Sequence, residues 1–290
     1  MKSSQSILAI VVVLVVAAAL AWAGGDASVE VGGLPAFVWC VILAFVINWV
    51  AFVPSFLNRT ETFFDLTGSI TYLSVMVLAL LLADGIDGWS ALVAAMVGVW
   101  ALRLGTFLFR RIRADGKDGR FDKIKTDFWR LLMTWTLQGL WVSLTAAAAL
   151  AVVVADDRVS LGVWGVLGFI VWAVGWGVEV VADQQKSRFK ADPANAGRYI
   201  TSGLWSWSRH PNYFGEITLW VGVAIMAVPR LSGWSWAVLI SPVFVFVLLT
   251  RISGIPMLSR RGLKRWGDEP EYRAYLDRTS LLVPLPPKKA

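Results

Sequence analysis

Residues 34–53 read LPAFVWCVILAFVINWVAFV, twenty positions without one charged side chain. A helix needs about 20 apolar residues to cross the ~30 Å hydrocarbon core of a bilayer. Unpaired backbone amides are prohibitively costly in lipid, so such a run crosses as a helix. Working outward, comparable runs recur at Ile7–Ala23, Leu66–Ala83, Trp89–Phe109, Leu131–Ala155 and Leu161–Val181. Two more follow: Phe214–Val228, which is short, and Trp234–Thr250. The alternation of a membrane β-barrel is absent. The sequence therefore predicts an all-α, polytopic transmembrane bundle of about eight helices, seven in its core. It forms one integral membrane domain over residues 1–290, with an extra helix and loop at 1–30.

Composition agrees. Of 290 residues, 57% are hydrophobic and 16% charged, against roughly 45–50% and 25% in soluble domains. That much apolar side chain has to face lipid. Seventeen tryptophans fit a chain with two bilayer interfaces. Cys40, the one cysteine, excludes an intrachain disulfide, and His210 is the entire imidazole supply. Multi-histidine iron, haem and zinc sites are thereby excluded. Chemistry here rests on carboxylates, amides, hydroxyls, arginines or an organic cofactor.

Basic residues orient the bundle. One side receives Lys2, Arg59, eight Lys/Arg between Arg110 and Arg130, five between Lys186 and Arg209 and nine from Arg251 to Lys289, 24 in all. The other receives Arg158 and Arg230, and Arg103 lies within a span. This asymmetry predicts cytoplasmic termini and a chemistry-bearing cytoplasmic face, in a bacterial-type inner membrane. Ala21-Trp22-Ala23 resembles a signal-peptidase site, but the 17-residue apolar run before it exceeds the usual 7–15. An uncleaved first helix is expected.

Polar residues concentrate between Glu179 and Glu216. Glu179, Asp183, Lys186 and Lys190 are spaced four, three and four, which stacks them on one helical face. They read either as a solvated helix end or as a rim for a charged ligand. Ser208-Arg209-His210-Pro211-Asn212-Tyr213-Phe214-Gly215-Glu216 gathers a cation, an imidazole, an amide, a phenol and a carboxylate where the chain enters the membrane. Pro211 suits a helix start, and Gly215 admits close approach of another group. An ionisable Glu216 inside an apolar span is functional by default. In a third cluster, Asp65, Thr67 and Ser69 are candidate helix caps, with Tyr72 about two turns deeper facing either the bundle or lipid. Arg103 is placed to snorkel or to pair with an anion, while Arg110, Arg111 and Arg113 mark the membrane surface. Tyr272 and Tyr275, three apart, share a face of a predicted cytoplasmic C-terminal hairpin folding back over the mouth.

At these residues the chain resembles a known superfamily. Arg198-Tyr-Ile-Thr-Ser-Gly-Leu-Trp-Ser-Trp-Ser-Arg-His-Pro-Asn-Tyr-Phe-Gly-Glu216 and Pro270-Glu-Tyr-Arg-Ala-Tyr275 are similar to segments of cytoplasm-facing membrane enzymes. These are the steroid 5-alpha-reductases, sterol C14 reductases and isoprenylcysteine carboxyl methyltransferases. The patterns Phe-Asp65-Leu-Thr-Gly-Ser, Arg103-Leu-Gly and Gly-Lys-Asp118-Gly-Arg120-Phe match the bacterial branch grouped with the steroid 5-alpha-reductases. The likeness covers roughly residues 40–285.

The resemblance implies an NADPH-dependent reductase acting on a conjugated C=C of a lipid-soluble, steroid- or isoprenoid-like enone. Asn212 paired with Glu216 follows the reductase pattern. The methyltransferases carry a Glu-Glu pair where this chain has Leu258-Ser259. By resemblance, residues 179–285 form the cofactor-binding part. Glu179, Asp183, Lys190, Arg198, Asn212, Glu216 and Arg251 line the NADPH pocket, joined by Arg209, His210 and Tyr213. Asn212 and Glu216 hold the nicotinamide end, which also gives Glu216 a catalytic place. The Gln-Glu pair with which steroid 5-alpha-reductases polarise an enone is missing before Val53-Pro54-Ser55-Phe56. Asp65 and Tyr72 stand in as proton donor and oxyanion partner. No metal is expected, and the partners are a lipophilic substrate and membrane lipids, with no nucleic acid. The alternatives are an S-adenosylmethionine-dependent membrane methyltransferase and a non-enzymatic membrane protein such as a transporter. A transporter would show inverted repeats, and none stands out.

Overall fold

The computed structural model describes residues 3–115, 119 and 121–288. Lys117, Asp118 and Arg120 lie outside the described residues, as do the side chains of Arg111 and Arg113. The helices are α1 (Ser3–Gly25), α2 (Ala36–Leu57), α3 (Phe64–Leu82), α4 (Gly88–Asp115), α5 (Phe128–Val153), α6 (Gly162–Ala191), α7 (Pro211–Ala227), α8 (Ile240–Val247), α9 (Gly254–Trp266) and α10 (Pro270–Arg278). The predicted all-α membrane bundle is what forms. Among the described residues, seven helical segments are long and apolar enough to cross a membrane: α1 to α6 and Gly233–Trp266. The eighth expected span, Phe214–Val228, forms α7, whose 17 residues fall just short of that length.

Two local expectations are corrected. Trp234–Thr250 is not one α-helix. It begins as a 3₁₀ segment, Gly233–Leu239, becomes α8, and widens into a π turn at Leu248–Ile252. Pro242 lies in the first turn of α8, where its missing N–H is not needed, so the α-helix restarts there. Between α1 and α2, Glu30–Val31 (β1) and Leu34–Pro35 (β2) pair as a small antiparallel hairpin. Its turn is Gly32-Gly33, both at positive φ, as a two-residue hairpin turn requires.

The chain divides into two compact units, Met1–Gly165 with Met226–Ser241, and Val166–Ile225 with Pro242–Ala290. In the first, α5 is the central helix. Of its most apolar window 89% is buried, against 33–44% for the other spans. Ala146–Ala149 are fully enclosed, small enough for neighbouring helices to pack closely. Phe52, Phe121, Leu131 and Trp135 fill the end of this unit where α5 begins.

Charge in this unit is tied to the frame. Arg230 is 4% exposed. Its Nε donates to the Val159 carbonyl (3.2 Å), and Nη1 donates to Ser90 Oγ (3.0 Å) and the Val152 carbonyl (2.7 Å). Nη2 closes an ion pair with Asp87. Burial pushes the Asp87 carboxyl upward, but bonds from Ser90 and Arg230 outweigh it and hold the acid below its ordinary value. Lys125 likewise pairs with the buried Glu61 at 2.8 Å.

In the second unit, α6 and α7 cross backbone to backbone. A Cβ on Gly215 would stand 2.6 Å from the Glu179 nitrogen and the Gly175 oxygen, and one on Gly175 would stand 2.5 Å from the Leu219 nitrogen. Gly222 meets Gly168 and Trp172 in the same way. The group that Gly215 admits is therefore the main chain of α6.

Candidate functional site

All ten candidate cofactor residues fall in the second unit. The α6–α7 crossing sets the first of them. Glu179, held against Gly215, is 2% exposed, and Asp183, one turn on, is 8% exposed. The reading of a merely solvated helix end fails for these two acids. It holds for Lys190, which is exposed. Lys186 lies 4.6 Å over the Trp205 ring, spending its apolar stem on that surface.

α7 starts at Pro211, so Asn212 and Glu216 sit one turn apart on the same face, both half-buried. Asn212 makes no side-chain hydrogen bond among the described residues, leaving both ends of its amide open.

The loop before α7 is fastened from two sides. Toward α6, Trp205 Nε1 donates to the Ala182 carbonyl (3.0 Å), and Gln185 Oε1 accepts the Leu204 N–H (2.9 Å). Gly203, at φ +62°, leaves room for the Gln185 amide, 2.6 Å from where a Cβ would be. From the other side comes the segment after α10. Arg209 N–H donates to the Ser280 carbonyl (2.8 Å), Leu285 N–H to the Trp207 carbonyl (3.2 Å) and Ser208 Oγ to the Leu282 carbonyl (2.7 Å). Ser208 Oγ also accepts the His210 N–H (3.1 Å).

The predicted C-terminal hairpin is present as α9 and α10. Tyr272 and Tyr275 are both buried and join Tyr199 and Trp266 in one aromatic cluster. Tyr275 donates to the Trp205 carbonyl at 2.9 Å, and burial drives its phenol above the ordinary range. This hairpin and tail hold Ser208, Arg209 and His210 in place.

His210 is 7% exposed and stacks on Tyr213 at 5.5 Å, nearly parallel. Burial, with help from the charges of Lys186 and Arg209, pushes its pKa down to about 3. The ring is neutral at physiological pH. Its Nδ1 and the Arg209 Nε are buried without a hydrogen-bond partner among the described residues. Orphaned polar atoms of this kind in a native fold call for an explanation, and a bound polar ligand is one. Arg198 and Arg251 are exposed, Arg251 within the π turn.

Asp65 and Tyr72 belong to the first unit, on α3. They are seven residues apart, roughly 10 Å along the helix, so they do not form a side-by-side pair. The cap expectation is also corrected. α3 starts after Phe63 without a side-chain cap, and Thr67 and Ser69 are buried farther along. Tyr72 faces the bundle, edge-on to Trp100 at 5.1 Å. Arg103 is half-buried on α4. No group of three or more metal-ligating side chains occurs among the described residues.

Sequence reasoning assigned no role to Ser208, Gln185 or Trp205, whose partners lie 74, 19 and 23 residues away.

The family described as "Protein of unknown function (DUF1295)" matches residues 51–279, most of the chain, from the end of α2 through α10. The chain belongs to this family. The DUF1295 family lies within the steroid 5-alpha-reductase-like superfamily, membrane proteins related to reductases and methyltransferases. Two curated relatives are similar. The protein named "Probable O-methyltransferase ustE" of Ustilaginoidea virens is 41% identical over 71 residues, 24% of this chain and 25% of that protein. An uncharacterized protein of Schizosaccharomyces pombe is 25% identical over 168 residues, 51% of this chain and 46% of that one. The chain thus spans about a quarter and about half of the lengths of these relatives. No solved structure matches it.

Proposed function

We propose that this DUF1295 protein is an NADPH-dependent membrane reductase that adds hydride to the conjugated C=C of a lipid-soluble enone. The observation that carries the reading is the pairing of an open amide with a carboxylate. Asn212 and Glu216 share one face at the start of α7. A carboxamide offers a donor and an acceptor, and a carboxylate beside an amide satisfies both. The orphaned nitrogens of Arg209 and His210 supply further unspent polar atoms on the same loop, and Lys186 and Arg209 supply cations for phosphate.

When bound, NADPH supplies the hydride. The chain's own residues do the rest. Asn212 and Glu216 orient the carboxamide, Arg209 and Lys186 meet phosphate, and neutral His210 offers a hydrogen bond without adding charge. The exposed Lys190, Arg198 and Arg251 draw the anion in, while Glu179 and Asp183 support the pocket from α6. Asp65 and Tyr72 are assigned the proton-donating and oxyanion roles. By the excess of basic residues, the cofactor side faces the cytoplasm of an inner membrane. The substrate is a steroid- or isoprenoid-like lipid.

A second reading is methyl transfer from S-adenosylmethionine to a membrane-embedded acceptor. The similarity to a probable O-methyltransferase favours it.

Thermal unfolding of the detergent-solubilised chain separates the two. A ligand that binds only the folded state raises the midpoint. NADPH is expected to do so and S-adenosylmethionine is not; the reverse result assigns the protein to the methyltransferases. Glu216→Ala and Asn212→Ala should each weaken NADPH binding about tenfold or more, since an unmatched buried polar group costs roughly 1–3 kcal/mol. Wild-type affinity in a well-folded Glu216→Ala variant removes that residue from the site.

A further inference from the structure

We propose that α9 is a docking surface for anionic phospholipid headgroups, independent of the reductase reading. The segment reads GIPMLSRRGLKRW. Its inner arc is fixed by Gly254, Ile255 and Gly262, which are buried. Gly262 has no Cβ because the Tyr272 hydroxyl occupies that space, and Gly254 is closed by the Tyr213 ring. At about 100° per residue, Arg260 and Lys264 fall opposite that arc, and Arg261 and Arg265 lie toward its Gly254 edge. All four are exposed.

These charges are not neutralised. None of the four forms an ion pair or a side-chain hydrogen bond among the described residues. The acid that follows the helix, Asp268, reaches toward Arg273 instead, at 4.0 Å. Arg265 lies over its neighbour Trp266, 4.9 Å from the ring centre. Four like charges on thirteen residues repel one another, and a structure that keeps them together and unpaired is suited to a surface of opposite sign.

The position selects lipid as that surface. The helical segment Gly233–Trp266 has 34 residues. That is more than the about 20 residues a span needs. Its apolar part ends at Thr250, so α9 begins where the chain leaves the membrane. Leu263, 53% exposed, lies beside Arg260 on the outer face, and Ile252, 63% exposed, comes just before the helix. A basic arc bordered by apolar side chains is the pattern of a helix at the headgroup boundary. Polybasic segments beside a span are drawn to anionic lipid.

The test uses the full chain in nanodiscs of phosphatidylcholine alone or with roughly a third phosphatidylglycerol. A polarity-sensitive dye is attached at Leu263→Cys; Cys40 is buried and stays unlabelled. In the anionic discs the dye emission should shift to the blue, and about 1 M salt should reverse the shift by screening. Replacing Arg260, Arg261, Lys264 and Arg265 by Gln should abolish it. The same variant, purified in detergent, should retain several-fold less phosphatidylglycerol. If the fourfold variant does not fold, Lys264→Glu alone should reduce both signals. Equal emission in the two kinds of disc overturns the proposal. So does a shift that survives salt or the substitutions, or reversal by an oligonucleotide that displaces the lipid.

Discussion

Arg230 and Arg209 are both arginines at the ends of short loops, and the chain treats them in opposite ways. Every nitrogen of the Arg230 guanidinium is spent, on Val159, Ser90, Val152 and Asp87. Among the described residues the buried Arg209 Nε has no hydrogen-bond partner, while the Arg209 backbone N–H donates to the Ser280 carbonyl. The first unit uses charge as a fastener. In the second, it is the main chain of the Trp207–Arg209 loop that is fastened.

The largest effect that could break this comparison comes from Arg230→Ala. It leaves the Val152 and Val159 carbonyls and the half-buried Asp87 without their partner, and each buried polar group left unmatched costs about 1–3 kcal/mol. Thermal unfolding should show a large drop, while Arg209→Ala changes stability by no more than about 0.5 kcal/mol. Equal losses in the two variants would abolish the distinction.

The next effect sharpens it through pH. The His210 pKa is depressed from 6.5 to about 3, by burial first and then by Lys186 and Arg209. The unfolded chain therefore binds the proton more readily than the folded one. Stability is full above about pH 6.5 and falls as pH drops toward 3, by roughly 1.4 kcal/mol per unit. Between pH 7 and pH 5 the wild type should lose about 2 kcal/mol. His210→Phe keeps the stack on Tyr213 and should flatten that difference. An unchanged pH dependence in the variant would show that His210 is not the buried neutral group.

The smallest effect concerns the hairpin. Tyr275→Phe removes one hydrogen bond to the Trp205 carbonyl and should cost about 1 kcal/mol. NADPH titration of that variant then shows how far the candidate site depends on its fastening.

The spans were legible because a run such as residues 34–53 carries no charge, and lipid leaves it one solution. The restart at Pro242 was not, since it lies inside an apolar run, and neither was the π turn, which straddles the end of that run. At the site, spacing alone placed Asn212 and Glu216 on one face of α7. It could not show that Glu179 and Asp183 are buried, because that follows from the glycine crossing of α6 and α7. The role of Arg230 depends on partners 71 to 143 residues away, and the lowered pKa of His210 depends first on its burial, which folding brings about.

The fastening of the Trp207–Arg209 loop also has a consequence in time. Ser208 bonds to Leu282, 74 residues farther along. During synthesis, every membrane-crossing segment is made before the residues that close this loop emerge from the ribosome. Insertion into the bilayer and completion of the candidate site are thus separate events, in that order. A nascent chain interrupted between α9 and Ser280 would already be threaded through the membrane with its Arg-His-Pro-Asn loop still slack.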